Sequence, residues 1–216
     1  MGQGPYSEGG AALNMLFRSS VSNSNEADIF FFGNAAVEFR GFYPGYSMDR
    51  GGPHYFSWSM VKMQVGNAVG TITLRSKDPR DMPIINFNYF EQQADQDLQA
   101  LEEGYEFAME LFGAIEEDHG PFETLEPNPA TTVRQSIMDH TFGHHVTSSC
   151  RMGPKDHPEY CVDSKFKVNG VDGLRVVDAS VFPHTPGAFT VGPTFIISQK
   201  AFETIQEELE NDSCEH

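Results

Sequence analysis

Near Asp95 the hydrophobic period of this chain changes from two residues to about 3.6, so extended segments must be followed by helices. Before that point, Phe56 to Val65 alternates, and Gly70 to Ser76 does so more clearly, with β-branched residues and with Ile72 and Leu74 on one side. Asp78-Pro79-Arg80-Asp81 makes a turn, and Pro83 to Phe90 is extended again. Beyond it, Leu98, Leu101, Tyr105, Ala108, Met109, Phe112 and Ile115 recur mostly at steps of three and four, which predicts a helix over 95–117 with this stripe as core.

The remaining elements are shorter. A second helix is expected within 127–141, starting near Thr131 or Thr132 and carrying Val133, Ile137 and Met138 on one face. Residues 165–178 read as a hairpin around Asn169-Gly170 and Asp172-Gly173, with Leu174 to Asp178 as its second arm. A final helix is expected over about 194–210, with Ile197, Ala201, Ile205 and Leu209 stepping by four. Residues 1–30 read as irregular, apart from Leu13, Met15, Leu16 and Phe17, which can cover a patch.

Composition excludes several classes of partner. Fourteen Lys and Arg stand against 31 Asp and Glu, a net charge of −17, and such a surface repels a phosphate backbone, so no nucleic acid is expected. No apolar run approaches the roughly 20 residues that span a bilayer, so no membrane partner is expected. Met1 to Pro5 has no basic n-region leading into an apolar h-region, and Tyr6 stands where a myristoylation motif needs Ser or Thr. The localisation is left open, with the cytoplasm compatible. Cys150, Cys161 and Cys214 are odd in number and lack framework spacing, so a disulfide-stapled secreted domain is not indicated. The 18 Phe call for a large apolar interior or for apolar surface that something else covers.

The chemistry concentrates in Gly143-His144-His145-Val146-Thr147-Ser148-Ser149-Cys150-Arg151-Met152-Gly153, followed by Val162-Asp163, Val168-Asn169-Gly170-Val171 and Gly173 to Pro183. His145 stands seven residues before the Met152 of a Cys-x-Met-Gly turn. With Gly70 to Leu74, Asp78-Pro79, Pro83, Ile85 and Asn88-Tyr89 upstream, these ordered blocks resemble the C-terminal part of the glucose-methanol-choline (GMC) family of FAD-dependent oxidoreductases. The resemblance covers roughly 56–210 and leans toward the formate-oxidase-like or aryl-alcohol-oxidase-like branches.

That resemblance implies an α+β fold, a mostly antiparallel sheet with helices on one side, plus C-terminal elements that complete an FAD-binding domain. It divides the chain into an irregular start at 1–55, a substrate-binding domain at 56–142 and a catalytic, flavin-contacting segment at 143–216. It implies oxidation of a CH-OH donor, with His145 as general base and FAD as hydride acceptor. An imidazole suits the base because its ordinary pKa, about 6.5, leaves the neutral ring available near neutral pH. The family's second His or Asn falls here on Phe189, which makes no conventional hydrogen bond, so His184 and Arg151 are the candidate substrate partners. A cation there would suit a small carboxylate as well as an alcohol. Asp178 and Ala179 match the segment that closes over the flavin, and Thr190 and Val191 match backbone contacts near its ring. Asp178 is also in place as a plain turn residue at a strand end.

No Gly-x-Gly-x-x-Gly opens a helix after a strand, so the phosphates of FAD have no seat in these residues. The chain reads as a C-terminal fragment, or as one part of a split enzyme whose FAD-binding domain is separate or missing. The alternatives are an inactive fragment or a subunit that binds no flavin alone. Less favoured are a metal module built from His144, His145, Cys150, His157 and Cys161, which matches no standard finger, and a Cys150 nucleophile. No metal is expected.

Overall fold

A computed structural model describes residues 11–36, 38, 45, 48, 54–155 and 157–214. The N-terminal stretch 1–10, expected to be irregular, lies outside the described residues. The chain forms two compact units, Met1–Phe142 and Gly143–His216.

In the first unit, β1 (Leu13–Phe17), β2 (Ile29–Ala35) and β3 (Phe56–Lys62) form an antiparallel sheet in that order. Leu13 pairs with Gly33 and Phe17 with Ile29, while Phe31 lies opposite Met60 on the other side. Residues 13–17 and 29–35, within the start expected to be irregular, are therefore strands. The run of Phe and Ile in β2 hides its alternation because both faces carry aromatics, yet only Ile29, Phe31 and Gly33 are buried. Two short strands, β4 (Thr71–Thr73) and β5 (Ile84–Asn86), pair antiparallel across the expected turn.

Helix α1 (Ala94–His119) packs on the Ile29–Phe31 face of the sheet; of the predicted stripe, Leu98 and Ala108 are buried, whereas Met109 and Ile115, expected in the core, are exposed. Ile29 and Phe31 are fully buried among Ala100, Ala108, Phe17, Trp58, Met60 and Phe107. Each such side chain contributes about 1.5–3 kcal/mol relative to exposure. Close approach is possible because residue 104 is Gly: a Cβ there would lie 3.1 Å from Met60 Sδ and 3.4 Å from Phe31 Cζ. The helix has no side-chain N-cap, but Asp95 and Asp97 occupy its first turn, where the helix dipole favours negative charge. Burial raises the Asp97 pKa even though its carboxylate accepts the Gly66 amide at 3.1 Å. Asp28, buried, accepts from Ser19 N at 2.7 Å and from Lys62 Nζ at 2.9 Å. Burial pushes the Asp28 carboxyl up, but the hydrogen bonds from Ser19 and Lys62 outweigh it and hold the pKa low.

Helix α2 (Val133–His140) starts where Thr132 Oγ1 accepts Gln135 N at 3.1 Å. Pro127 and Pro129 disfavour helical backbone just before them, which keeps its start late.

In the second unit, the expected hairpin is reduced to a bridge between Lys167 and Arg175. Phe166 at φ 64° interrupts one arm, and Asp163 Oδ1 draws in the amides of Lys165 and Lys167. Helix α3 (Val191–Cys214) starts three residues earlier than expected, because Thr190 O already accepts Thr194 N at 2.9 Å. Its buried side carries Ala201 and Thr204, but Leu209, expected with them, is 64% exposed. Steps of four drift about 40° each around a helix, so a chain of them leaves the core face by its last member. The core of this unit is Val162, Phe166, Val181 and Ala201, with Met152, Val168, Val176, Val177 and Ile197 around it. The architecture is thus α+β, with antiparallel strand pairs and α1 on one sheet face.

Candidate functional site

The second unit brings the residues singled out by the sequence onto two facing segments, 145–152 and 178–191. Amides of Cys150 and Met152 donate to the carbonyls of Ser180 and Val181, each at 2.9 Å, and Ser148 N reaches Ala179 O at 3.4 Å. Farther along, Thr147 Oγ1 and Thr185 Oγ1 are 3.0 Å apart, and His145 Nδ1 lies 2.8 Å from Ala188 O. Between these two sets of contacts, Ser148 adopts φ 69°. A non-glycine residue in the left-handed region is unfavourable and persists where its surroundings over-determine it.

Because a carbonyl oxygen only accepts, Nδ1 of His145 carries a proton and Nε2 of the neutral ring is left as acceptor. The His144 ring packs edge-on at 4.4 Å, and the Phe189 ring lies tilted at 6.1 Å. Burial, with a smaller contribution from charge on His145, lowers the His144 pKa.

Asp178 is exposed and caps the single 3-10 turn Ala179–Val181, its Oδ1 accepting Ser180 N at 2.7 Å. The turn role read from sequence is thus realised, with one carboxylate oxygen already engaged. Ala179 gives its carbonyl to Ser148. Thr190 is buried and Val191 opens α3 at 65% exposure. His184 is exposed beside Thr185, while Arg151 is half-buried with its carbonyl accepting Cys161 N at 2.8 Å. Among the described residues, no hydrogen bond or ion pair joins the side chain of His184 or Arg151 to His145.

Sequence reading missed the backbone partners. Ala188 acts through its carbonyl, which no side-chain pattern reports, and the Thr147–Thr185 pair joins residues far apart in the chain. It also missed the Cys150–Cys161 disulfide, whose Cα atoms are 4.9 Å apart. An odd cysteine count argues against a framework but does not forbid one pair on adjacent segments. With both thiols bonded to each other, neither Cys150 nor Cys161 offers a thiolate to a metal or acts as a nucleophile. Gly153, the last residue of the motif, has a steric reason: a Cβ there would sit 2.3 Å from the Tyr160 ring.

The sequence profile of GMC oxidoreductases matches residues 66–198. The chain belongs to the GMC oxidoreductase family. An oxygen-dependent choline dehydrogenase of Rhizobium etli (strain CIAT 652) is 32% identical over 154 residues, covering 67% of this chain and 27% of that protein. One from Brucella ovis is 34% identical over 143 residues, covering 63% of this chain and 25% of that protein. This GMC chain therefore spans about a quarter of the length of these curated relatives. Among solved structures, a variant of Aspergillus oryzae formate oxidase superposes with a TM-score of 0.70 at 23% identity, over 89% of this chain and 33% of that one. An FAD-dependent oxidoreductase from Chaetomium thermophilum gives 0.64 at 20% identity, over 87% and 29%. These likenesses show that the GMC fold is shared.

Proposed function

We propose that this chain supplies the proton-accepting and ring-contacting part of an FAD-dependent oxidoreductase acting on CH-OH donors, with His145 as general base. The single observation that carries this reading is the 2.8 Å contact from His145 Nδ1 to Ala188 O, which turns Nε2 into the free acceptor. The hydroxyl proton of a bound alcohol passes to Nε2, and the positive charge that develops is shared through Nδ1–H with the Ala188 carbonyl.

The residues present fit one edge of the cofactor. Val191 and Gly192 lie in the first turn of a 24-residue helix, where no intrahelical carbonyl reaches their amides, and a Cβ on Gly192 would meet nothing within 4 Å. Such amides suit the electron-rich oxygen edge of an isoalloxazine ring, and Thr190, the buried residue before them, holds the helix start through its carbonyl to Thr194 N. FAD, when bound, supplies the hydride acceptor that no side chain provides. The chain's own residues orient the donor and hold the proton at Nε2.

Phe189 brings an apolar ring near His145 where the family pattern has a polar group, so the second contact to the substrate oxygen falls to His184 on the neighbouring loop, with Arg151 as the less favoured choice. A cation at that position extends the substrate class from small alcohols to small carboxylates.

The test is the rate of flavin reduction by substrate in the flavin-containing protein, followed by stopped-flow absorbance. His145→Ala should slow it by about 10²–10⁴-fold. Unchanged reduction kinetics would remove His145 from the mechanism.

A further inference from the structure

The segment that carries His145 is held on both edges. One edge donates to the 3-10 turn through Cys150 and Met152, while on the other Arg151 O accepts Cys161 N, Gly153 N reaches Val162 O at 3.0 Å, and the disulfide crosses between Cys150 and Cys161. The part nearest His145 is held less firmly: its links to 179–188 are the long Ser148 amide contact, the Thr147–Thr185 hydroxyl pair and the His145–Ala188 bond. Ser148, at the junction, sits in left-handed backbone that only its surroundings maintain. The disulfide lies two residues away, and both its cysteines are half-buried, so a small thiol can reach it.

We propose that the Cys150–Cys161 disulfide is a redox-operated clamp: oxidised, it keeps Ser148 left-handed and His145 seated on Ala188; reduced by a dithiol, it lets Ser148 relax and the 145–148 stretch leave the 185–188 loop. Reduction proceeds by exchange. A thiolate of the dithiol attacks one cysteine sulfur and expels the other as thiolate, and the second thiol of the reductant resolves the mixed disulfide. Two electrons and two protons pass to Cys150 and Cys161, and the reductant leaves as its own cyclic disulfide. The consequence for catalysis rests on His145 being the base, but the movement of the segment does not.

The experiment uses the full chain with and without dithiothreitol, reading thiols by mass after maleimide labelling and local opening by amide hydrogen exchange. Beyond any label on Cys214, two further labelled thiols, on Cys150 and Cys161, should appear only after reduction. Exchange at Ser148, Cys150 and Met152 should then rise about tenfold or more, while the α3 amides of Ala201 and Thr204 stay protected. Reoxidation should restore protection, and the double variant Cys150→Ser/Cys161→Ser should match the reduced chain. Both thiols labelled before reduction would overturn the proposal. So would unchanged exchange in a chain whose mass proves reduction, or equal opening of α3, which would make the pair a staple for the whole unit. If the segment opens while His145→Ala leaves flavin reduction untouched, the clamp stands and the reading of His145 falls.

Discussion

His145 Nδ1 donates to the carbonyl oxygen of Ala188 at 2.8 Å, joining the residue that best matches a catalytic base to a residue 43 positions later. The bond fixes the tautomer before any substrate arrives. In ¹⁵N-labelled protein, the neutral His145 ring should show a protonated Nδ1 and a bare Nε2. A ring protonated on Nε2 would leave no acceptor for a hydroxyl proton and would contradict the assignment.

Phe189 offers a gain-of-function test. A histidine at 189 adds a donor near His145, and a neutral hydrogen bond to the substrate oxygen is worth about 0.5–1.5 kcal/mol, or up to about tenfold in rate. Phe189→His should therefore speed flavin reduction by a small alcohol, whereas Phe189→Leu should not. Equal rates in the two variants would mean that residue 189 does not face the substrate.

How much of this was legible in the sequence depended on where the determining atoms lie. Periodicity exposed α1 because its stripe of Leu98, Leu101 and Ala108 is built from side chains, and Thr132 marked α2 through its own hydroxyl. Strands β1 and β2 stayed hidden: apolar residues fill both faces of Ile29–Phe32, so no alternation was left to read. At the candidate site, the motif spacing singled out His145, Asp178 and Val191 as the residues to test. What orients His145 is a backbone carbonyl, and any residue at 188 supplies one. The disulfide escaped because pairing depends on the closeness of two segments in space, which the spacing of three cysteines does not encode.

The first unit should be far less tolerant at its sheet than at its second strand pair. Phe31 is fully buried and touches Phe17, Trp58 and Phe107 through ring contacts of 6.3, 5.8 and 6.1 Å. Phe31→Ala should cost about 3–5 kcal/mol in denaturant unfolding. Leu74, 86% exposed, should lose no more than about 0.5 kcal/mol on the same change. Comparable losses at both positions would show that the β1–β3 sheet is not the core.

Glu208 ties α3 to the loop before it. Its carboxylate meets Lys167 Nζ at 2.9 Å, Lys165 Nζ at 3.3 Å and the Arg175 guanidinium. The hydrogen bond from Lys167, with help from Lys165 and Arg175, lowers its pKa from an ordinary 4.5 to about 2. A carboxyl with a depressed folded-state pKa adds stability above its unfolded value and loses it as pH falls through the folded value. The contribution of Glu208 should therefore be complete above pH 4.5 and fade down to about pH 2. Comparison with Glu208→Gln isolates it: the variant should melt lower than the parent at neutral pH, and the two melting temperatures should converge as pH approaches 2. High salt should narrow the neutral-pH gap, because the two lysine partners are about half-exposed. A gap independent of pH would assign the loss to packing instead of charge.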